Sequence, residues 1–561
     1  MDADAYLARL DDSVSAVLSP WVGRAPRGFA SGRIIACTDC ELVTIPSMQA
    51  GLRAPMKEET LATPEDVMSI VTSKKLTYKQ KKLHLAQSAE NSVNPIKTTE
   101  RFDYFFKNRA LDDMSEGNAP YRPRYILPNY EHFIENGSSF LKLDAPKTLD
   151  DLLWGLAMVY DNVPSVTSRP VSVGQLDRMI EPFLAGHTDE EVKTKLKYFL
   201  TYIDRTVASG YCHANIGPEE TRAGNLLLEV EAELQNAVPN FTMKYDPEVT
   251  PDEYMRKAIR CAMKCANPAF ANHAIHKHTY EGDYQIVSCY NVLPYGGGAY
   301  CLDRLLLPGM AKLATSVDDF MDNVLPEATG ELCNYINQRI KFEVEESGFF
   351  DTDWLVTDGL LRRDRFVAMF GLAGMSECVA TLLNLGDDRH YGTDPEANEL
   401  ADRICHKVYD QVNDFEAVYS EAANNRFTLH AQAGFGDQMG VTPGVRIKVG
   451  DEPKVFYDHI RQAASLHKYF NAGVSDIFPV EPTAEKNPDA VLDVIKAAFA
   501  IDDKYLSFYS SESDLVRITG FLVKRSEIEK YARGEVVLAD TSHDGEGNWR
   551  ANDLGDRMVR L

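Results

Sequence analysis

Between about residue 150 and residue 480, segments of helical periodicity alternate with short apolar runs, and no linker interrupts them. Apolar residues recur at three- and four-residue steps in residues 152–159 and 196–206, which is the period of a helix with one buried face. Residues 284–288 and 445–449 are rich in β-branched and apolar side chains and predict short strands. Strands that alternate with helices indicate an α/β fold class, of which a barrel is one form.

The charge balance is acidic: 84 residues are Asp or Glu and 59 are Lys or Arg, so the formal net charge of the 561 residues is −25. Phosphate binding needs a concentrated basic surface, so this balance argues against a nucleic-acid partner. No apolar run approaches the roughly 18 residues of a membrane span, and the N-terminus lacks the regions of a signal peptide. The ten cysteines lack the spacing of a disulfide framework. We therefore expect a cytoplasmic protein with reduced thiols and no membrane partner.

Breaks in the pattern divide the chain into three predicted regions. Residues 1–150 form a mainly helical N-terminal region, residues 151–487 an α/β core, and residues 488–561 a C-terminal region. A lysine-rich segment of the N-terminal region favours a solvated helical face, with a docking patch for an acidic partner as the alternative. Its lysines are Lys74, Lys75, Lys79, Lys81 and Lys82.

The C-terminal region begins with a predicted helix in residues 489–498. Strands are predicted in residues 505–509 and 515–523, and a turn-rich stretch in residues 544–548. Gly520 lies within the last strand, where a glycine usually marks a bulge or a close approach of two backbones. Glycine also permits a second chemistry. Loss of its Cα hydrogen gives a planar radical that the flanking amide nitrogen and carbonyl stabilise, with no side chain to clash.

The run Arg517-Ile518-Thr519-Gly520-Phe521 resembles the signature of the glycyl radical enzymes, an Arg–aliphatic–any–Gly–aromatic sequence close to the C-terminus. The resemblance implies that Gly520 stores a radical and that Arg517 and Phe521 support its loop.

A second motif supplies the thiol that such chemistry requires. Residues 284–291 resemble the family's cysteine loop, in which a strand runs into Cys289 at a turn, and the glycines of residues 296–298 follow. A buried Cys is more often an inert small side chain, and Cys301 is the nearest competitor. Cys289 is preferred because it precedes the Gly-rich turn and stands where the family places its thiyl residue.

Three further segments resemble the family in the right order, in residues 173–183, 238–245 and 370–378. Around Cys289 the chain is most similar to the YjjI family. The resemblance implies a ten-stranded α/β barrel with a helical N-terminal region, a C-terminal glycyl radical segment and two finger loops that meet inside, usually in a homodimer. It also implies a separate activating enzyme that uses S-adenosylmethionine and an iron–sulfur cluster, and no bound cofactor in this chain besides the radical on Gly520.

The motif departs from those of the best-known members. Dehydratases of the family carry a Glu general base two residues after the thiyl Cys, where this chain has Asn291, which cannot accept a proton at ordinary pH. Glu377 is a candidate substitute, and Tyr290 and Asn291 are candidate active-site residues. Pyruvate formate-lyase uses two adjacent cysteines, whereas Cys289 stands between Ser288 and Tyr290.

No metal site is predicted. Anaerobic ribonucleotide reductases carry a cysteine-rich zinc site near the radical glycine, and no Cys follows Cys405 here. Cys37 with Cys40, and Cys261 with Cys265, form two pairs that nothing in the sequence brings together. Three nearby histidines do not share one helical face at their spacing: His273, His276 and His278.

The sequence therefore predicts a radical lyase, dehydratase or rearrangement enzyme that acts on a small polar metabolite. The alternative is an inactive α/β scaffold that binds a metabolite or a partner. Ribonucleotide reduction and formate acetyl transfer are less favoured.

Overall fold

The structure is a computed structural model that describes residues 64–90, 95–113, 121–167, 170–207, 210–431, 441–474, 476–510, 513–518 and 520–538. The predictions on Cys37, Cys40 and residues 544–548 lie outside these residues. No helix in the described ranges is long and apolar enough to span a membrane. The helices are α1 (Pro64–Thr72), α2 (Tyr78–Glu90), α3 (Glu100–Lys107), α4 (Tyr130–Asn136), α5 (Leu149–Asp161), α6 (Leu176–Ile180), α7 (Asp189–Thr206), α8 (Arg222–Leu234), α9 (Asp252–Cys265), α10 (His273–His276), α11 (Leu307–Leu313), α12 (Val317–Asp319), α13 (Leu325–Glu345), α14 (Phe349–Thr352), α15 (Trp354–Thr357), α16 (Met375–Leu383), α17 (Pro395–Asp414), α18 (Phe456–His467), α19 (Pro488–Phe499) and α20 (Arg525–Ala532).

The strands form two larger sheets and two hairpins. Their bounds are β1 (Leu111–Asp112), β2 (Tyr125–Leu127), β3 (Ser172–Gln175), β4 (His213–Ile216), β5 (Asn240–Tyr245), β6 (Ala269–Asn272), β7 (Tyr284–Val287), β8 (Asn291–Pro294), β9 (Gly297–Leu306), β10 (Phe366–Ala373), β11 (Thr428–His430), β12 (Ile477–Val480), β13 (Tyr505–Ser510), β14 (Leu515–Arg517) and β15 (Leu522–Lys524).

One sheet has six strands in the order β12-β13-β6-β5-β4-β3. Strands β3 to β6 are parallel, β13 is antiparallel to β6, and β12 is parallel to β13. The other sheet has the order β1-β9-β10-β11, with β2 also paired to β9. Strands β9, β10 and β11 are parallel, while β1 and β2 run against β9. This α/β arrangement confirms the predicted class. The ladders between described residues do not close a ten-stranded barrel.

The helices that cover the sheets are amphipathic, as α7 illustrates. Thr188 caps its N-terminus and forms a capping box with Glu191, which satisfies backbone N–H groups that have no partner inside the helix. Residues Val192, Leu196 and Leu200 recur on one face and are fully buried. The helices predicted in residues 152–159 and 196–206 lie within α5 and α7 and are confirmed.

Strands β7 and β8 pair with each other and form a hairpin that we call the cysteine finger, residues 284–294. Alternate side chains of a strand point to opposite faces. On one face Ile286 and Val292 join a buried cluster with side chains of β6 and β13. On the other, Val287 and Leu293 join a cluster with side chains of β2, β9 and β10. Each face of the finger therefore packs its apolar side chains against a different sheet.

Two strand predictions are corrected. No strand forms in residues 445–449, because side chains satisfy the backbone there: Ser376 bonds to the Arg446 carbonyl and Tyr391 to the Val445 carbonyl. The single strand predicted in residues 515–523 is instead the antiparallel pair β14 and β15. The helix at 489–498 and the strands at 284–288 and 505–509 are confirmed, within one residue, as α19, β7 and β13.

The lysine-rich segment lies partly on α2, which contacts the C-terminal part of the chain. The Gln80 side chain donates to the carbonyls of Val537 and Leu538 at 3.3 Å each. The Lys75 ammonium lies 4.5 Å from the ring centre of Tyr531. Both interpretations of the segment, a solvated face or a docking patch, stay predictions. So do the boundaries near residues 150 and 487.

Candidate active site

Gly520 lies between β14 and β15, in the turn of a hairpin that we call the glycine hairpin. Arg517 pairs with Leu522 at the end of the ladder, and the Ile518 amide donates to the Phe521 carbonyl at 3.2 Å. Gly520 itself is buried. The sequence pattern placed it within a strand, whereas the hairpin projects it from the end of two strands.

The tip of the cysteine finger has an unusual backbone. Ser288, Cys289 and Tyr290 have φ values of 32°, 40° and 66°, so three consecutive residues with side chains lie in the left-handed region. Such a conformation costs roughly 1–2 kcal/mol per residue, and it persists only where surrounding contacts enforce it. The backbone amide and the side-chain amide of Asn291 both donate to the Ser288 carbonyl and close this turn.

The two hairpin tips are in direct contact. A Cβ atom placed on Gly520 would lie 1.9 Å from the Cα of Cys289 and 2.4 Å from its backbone nitrogen. Only glycine fits this position, because the obstructing atoms belong to the backbone. Cys289 is 2% exposed, so the contact is shielded from solvent. The alternative thiol, Cys301, lies on β9 beside Asp303 and has no part in this contact.

Arg517 joins the two hairpins. Its side chain is fully buried and donates to the Tyr290 hydroxyl at 2.9 Å, the Asn240 side-chain oxygen at 3.3 Å and the Ala266 carbonyl at 2.7 Å. Guanidinium donors in a fixed fork suit three separate acceptors. The ring of Tyr290 stacks on that of Tyr505 with centroids 3.6 Å apart. The predicted support residue Arg517 and the predicted site residue Tyr290 therefore contact each other.

Phe521, the other predicted support residue, packs beside Gly520 in the core. It is 1% exposed, and its ring centre lies 5.4 Å from that of Tyr211. Together with the apolar side chains of β14 and β15, it covers the hairpin tip with hydrocarbon.

Side chains of the parallel strands hold the finger. Asn215 of β4 donates to the Ile286 carbonyl and accepts from the Ile286 amide, both at 2.9 Å, and so takes the place of a neighbouring strand. Lys244 of β5 donates to the Tyr284 carbonyl at 3.0 Å, and burial lowers its pKa to about 8. The Ser172 hydroxyl of β3 bonds to the side chain of Gln285.

His213, the first residue of β4, contacts Gly520. Its Nε2 lies 3.1 Å from the Gly520 carbonyl oxygen, and the side chain is fully buried. Burial, reinforced by the positive charge of Arg517, lowers the pKa of the imidazole to about 3. The ring is therefore neutral near pH 7.

No sequence motif indicated His213, Asn215 or Lys244 as site residues. Strands of a buried parallel sheet read as nearly continuous apolar runs. Polar residues at alternate positions of β4 and β5 are the signal that could have identified them.

Asn291 stands where the dehydratases have their general base, and Glu377 is the candidate substitute. The side chains of both residues form other hydrogen bonds in the structure. Asn291 directs its side-chain nitrogen to the Ser288 carbonyl within the turn. Glu377, in the first turn of α16, accepts from the backbone amide of Thr442 at 3.0 Å and from its hydroxyl at 2.6 Å. Among the described residues, no hydrogen bond joins the Glu377 carboxylate to the finger.

The candidate metal ligands form local contacts. The thiols of Cys261 and Cys265 lie 3.7 Å apart on α9, and Nδ1 of His273 lies 2.7 Å from the Tyr284 hydroxyl. Over the part of the chain that the structure describes, no group of three or more His, Cys, Asp or Glu side chains is arranged to hold a metal.

Two buried hairpins that press a glycine Cα against a cysteine form the arrangement that hydrogen-atom exchange between these residues would need. A family model described as "Glycyl radical enzyme YjjI-like" matches residues 76–560. The chain belongs to this YjjI-like family of glycyl radical enzymes. It is 39% identical over 508 residues to an uncharacterized protein of Haemophilus influenzae, covering 89% of this chain and 98% of that protein. It is 37% identical over 502 residues to the uncharacterized protein YjjI of Escherichia coli, covering 89% and 96%.

Solved structures of more distant proteins share the fold. An anaerobic ribonucleotide reductase matches with a TM-score of 0.63 at 12% identity, over 83% of this chain and 84% of its own. Hydroxyproline dehydratase of Clostridioides difficile matches with a TM-score of 0.61 at 12% identity, over 89% of each chain. At this identity the likeness concerns the α/β fold alone.

Proposed function

We propose that this protein is an oxygen-sensitive radical enzyme in which Gly520 stores a radical and Cys289 relays it to a small polar metabolite. The observation that carries the proposal is the contact between the Gly520 Cα and the Cys289 backbone. Hydrogen-atom transfer requires reacting groups nearly in contact, and these two residues meet in the interior, away from water and oxygen.

Over the proposed cycle every hydrogen atom that is moved is also returned. The Cys289 S–H bond breaks, and its hydrogen atom forms a C–H bond at the Gly520 Cα. The sulfur then takes a hydrogen atom from a substrate C–H bond. After the substrate rearranges or eliminates, the product radical recovers that hydrogen atom from Cys289. The cycle closes when the sulfur takes the hydrogen atom back from Gly520.

A lyase, dehydratase or rearrangement activity is the class we favour. Hydroxyproline dehydratase is among the structures that share the fold. Formate acetyl transfer is less supported, because Cys289 has no adjacent cysteine. Ribonucleotide reduction is less supported, because no Cys follows Cys405. We further propose that ten of the eleven strands of the two sheets belong to the ten-stranded barrel that encloses both hairpins.

The proton acceptor for an elimination is not Asn291, whose side-chain nitrogen bonds within the turn. Glu377 stays a candidate: one oxygen of its carboxylate accepts from Thr442, and the other is buried and has no hydrogen-bond partner among the described residues. We propose that Tyr290, fixed by Arg517 and Tyr505, forms one wall of the substrate site.

Installation of the radical needs a separate enzyme. We propose a cytoplasmic activating partner that uses S-adenosylmethionine and an iron–sulfur cluster to remove one hydrogen atom from Gly520, and a homodimeric assembly of this chain. Because Gly520 is buried against the finger, the partner reaches it only after the glycine hairpin moves away.

Anaerobic activation followed by electron paramagnetic resonance tests the proposal. The wild type should give a glycyl doublet that Gly520→Ala abolishes. On exposure to air, the activated chain should break at Gly520 and lose a fragment of about forty residues, consistent with its position in the sequence. A protein that gives no doublet with a competent activating enzyme, and that stays whole in air, would instead be the inactive scaffold.

A further inference from the structure

The His213 imidazole bonds to the carbonyl group that would share the unpaired electron of Gly520. A carbonyl oxygen can only accept a hydrogen bond, so the hydrogen must lie on Nε2 of His213. Nδ1 is then the unprotonated nitrogen. It is buried and has no hydrogen-bond partner among the described residues.

A buried imidazole nitrogen without a partner costs free energy. An apolar side chain of similar size would avoid this cost. Neither the packing of β4 nor the proposed hydrogen transfer requires a donor at His213. The bond from Nε2 to Gly520 is therefore the feature that accounts for a histidine at this position.

We propose that His213 is a positioning residue that holds the Gly520 Cα against Cys289 and polarises the Gly520 carbonyl, so that spin is drawn from the Cα toward the oxygen. The inference rests on the proposed function, because it assigns a role at the same radical. Removal of a Cα hydrogen leaves a radical conjugated with the carbonyl. A donor on the oxygen strengthens the electron withdrawal that stabilises that radical. The neutral form of the ring provides this donor without adding a charge beside Arg517.

The hydrogen bond from His213 to Gly520 accounts for both the positioning of the Cα and the polarisation of the carbonyl. The ring of His213 stands edge-on to that of Tyr290, with centroids 6.1 Å apart. It therefore contacts the finger and the glycine hairpin together. Arg517 of the glycine hairpin donates a hydrogen bond to Tyr290 of the finger. Among the described residues, these two polar links flank the contact between Gly520 and Cys289, and the bond from His213 is the one that reaches the carbonyl of Gly520.

The test uses the full-length protein, activated anaerobically, with His213→Phe and His213→Gln as variants. Electron–nuclear double resonance in light and heavy water should reveal, beyond the amide proton of Gly520 and any Cα hydrogen that exchanges through Cys289, one further exchangeable proton coupled to the glycyl radical of the wild type, the one that His213 donates. The coupling should vanish in His213→Phe, whose radical half-life should fall about tenfold, the equivalent of one net hydrogen bond. His213→Gln carries an amide donor and should restore both. The matched control is His276→Phe, which removes another buried histidine of low pKa that does not contact Gly520.

An unchanged spectrum and half-life in His213→Phe would overturn the spin-stabilising role. A wild type that gives no doublet would refute the proposed function, and amide exchange of the unactivated protein then decides the positioning role alone. His213→Phe should speed exchange in the glycine hairpin about tenfold while His276→Phe leaves it unchanged. Equal exchange in both variants would overturn the positioning role.

Discussion

Replacing Gly520 with alanine would place a methyl group against the backbone of the cysteine finger. The added Cβ would lie 1.9 Å from the Cys289 Cα and 2.9 Å from its carbonyl carbon. An ordinary contact begins at 3.4 Å, so the two tips would have to separate by about 1.5 Å. The obstruction is backbone that left-handed φ values and buried hydrogen bonds hold in place, and no change of rotamer relieves it.

The cost follows from two terms. Overpacking of a well-packed core costs about 1–3 kcal/mol. A separation of this size also breaks one of the bonds that span the contact, either from Arg517 to Tyr290 or from His213 to Gly520, at about 1 kcal/mol. The total is about 2–4 kcal/mol, and 2 kcal/mol corresponds to roughly a 30-fold change in the opening equilibrium.

Hydrogen exchange of the unactivated protein measures this effect. Peptides that cover the finger and the glycine hairpin should exchange at least about 30-fold faster in Gly520→Ala. Because the methyl group meets backbone atoms, Cys289→Ala should not restore slow exchange when it is combined with Gly520→Ala. Rescue by Cys289→Ala would show that the Cys289 side chain is the obstruction, and it would refute the reasoning.

Two further predictions concern stability and need no radical. Burial lowers the pKa of His213 from 6.5 to about 3. As the pH falls, the unfolded state therefore binds the proton at a higher pH than the folded state does. The stability present above pH 6.5 is lost progressively as the pH falls toward 3. From pH 7.5 to 5.5 the wild type should lose about 1.4 kcal/mol relative to His213→Gln in urea unfolding, and parallel pH profiles would contradict this. Gln80→Ala removes the bonds to the Val537 and Leu538 carbonyls, so limited proteolysis of the C-terminal segment should accelerate about tenfold. Lys82→Ala, an exposed change on the same helix, is its control, and equal rates in both variants would exclude a tether at Gln80.

The local pattern of the sequence predicted the α/β class, whereas the two loops around Cys289 and Gly520 followed from the resemblance to the glycyl radical enzymes. A glycine in an apolar run already pointed to a close approach of two backbones, and the structure identifies the second backbone as that of Cys289. The strand predicted in residues 445–449 was wrong because its backbone bonds go to side chains of residues 376 and 391. A local pattern contains no information on such distant partners.

The residues that hold the site were missed for a related reason. Asn215 forms with the backbone of Ile286 the hydrogen bonds that a neighbouring strand would otherwise form. His213 contacts Gly520, which is 307 positions away in the sequence. Two of the four residues of β4 are polar, so neither the burial of this strand nor the face that meets the finger can be read from its sequence. Asn291 illustrates the same limit: its chemistry excluded a general base, while its bond within the turn emerged only from the fold.

The two hairpins are held by different contacts, and this difference bears on the proposed installation of the radical. The finger is packed on both faces and bonded through Asn215 and Lys244, so its withdrawal would expose two apolar clusters and leave buried polar groups without partners. The glycine hairpin has two strands of three residues. Its Arg517 donates a hydrogen bond to Tyr290 of the finger, and its Gly520 carbonyl accepts one from His213 of β4. A two-stranded hairpin has little stability of its own. If the hairpin that carries Gly520 leaves the core during the proposed activation, it must break the bonds of Arg517 and expose buried side chains such as Phe521 and Leu522, while the finger keeps Cys289 in place for its return.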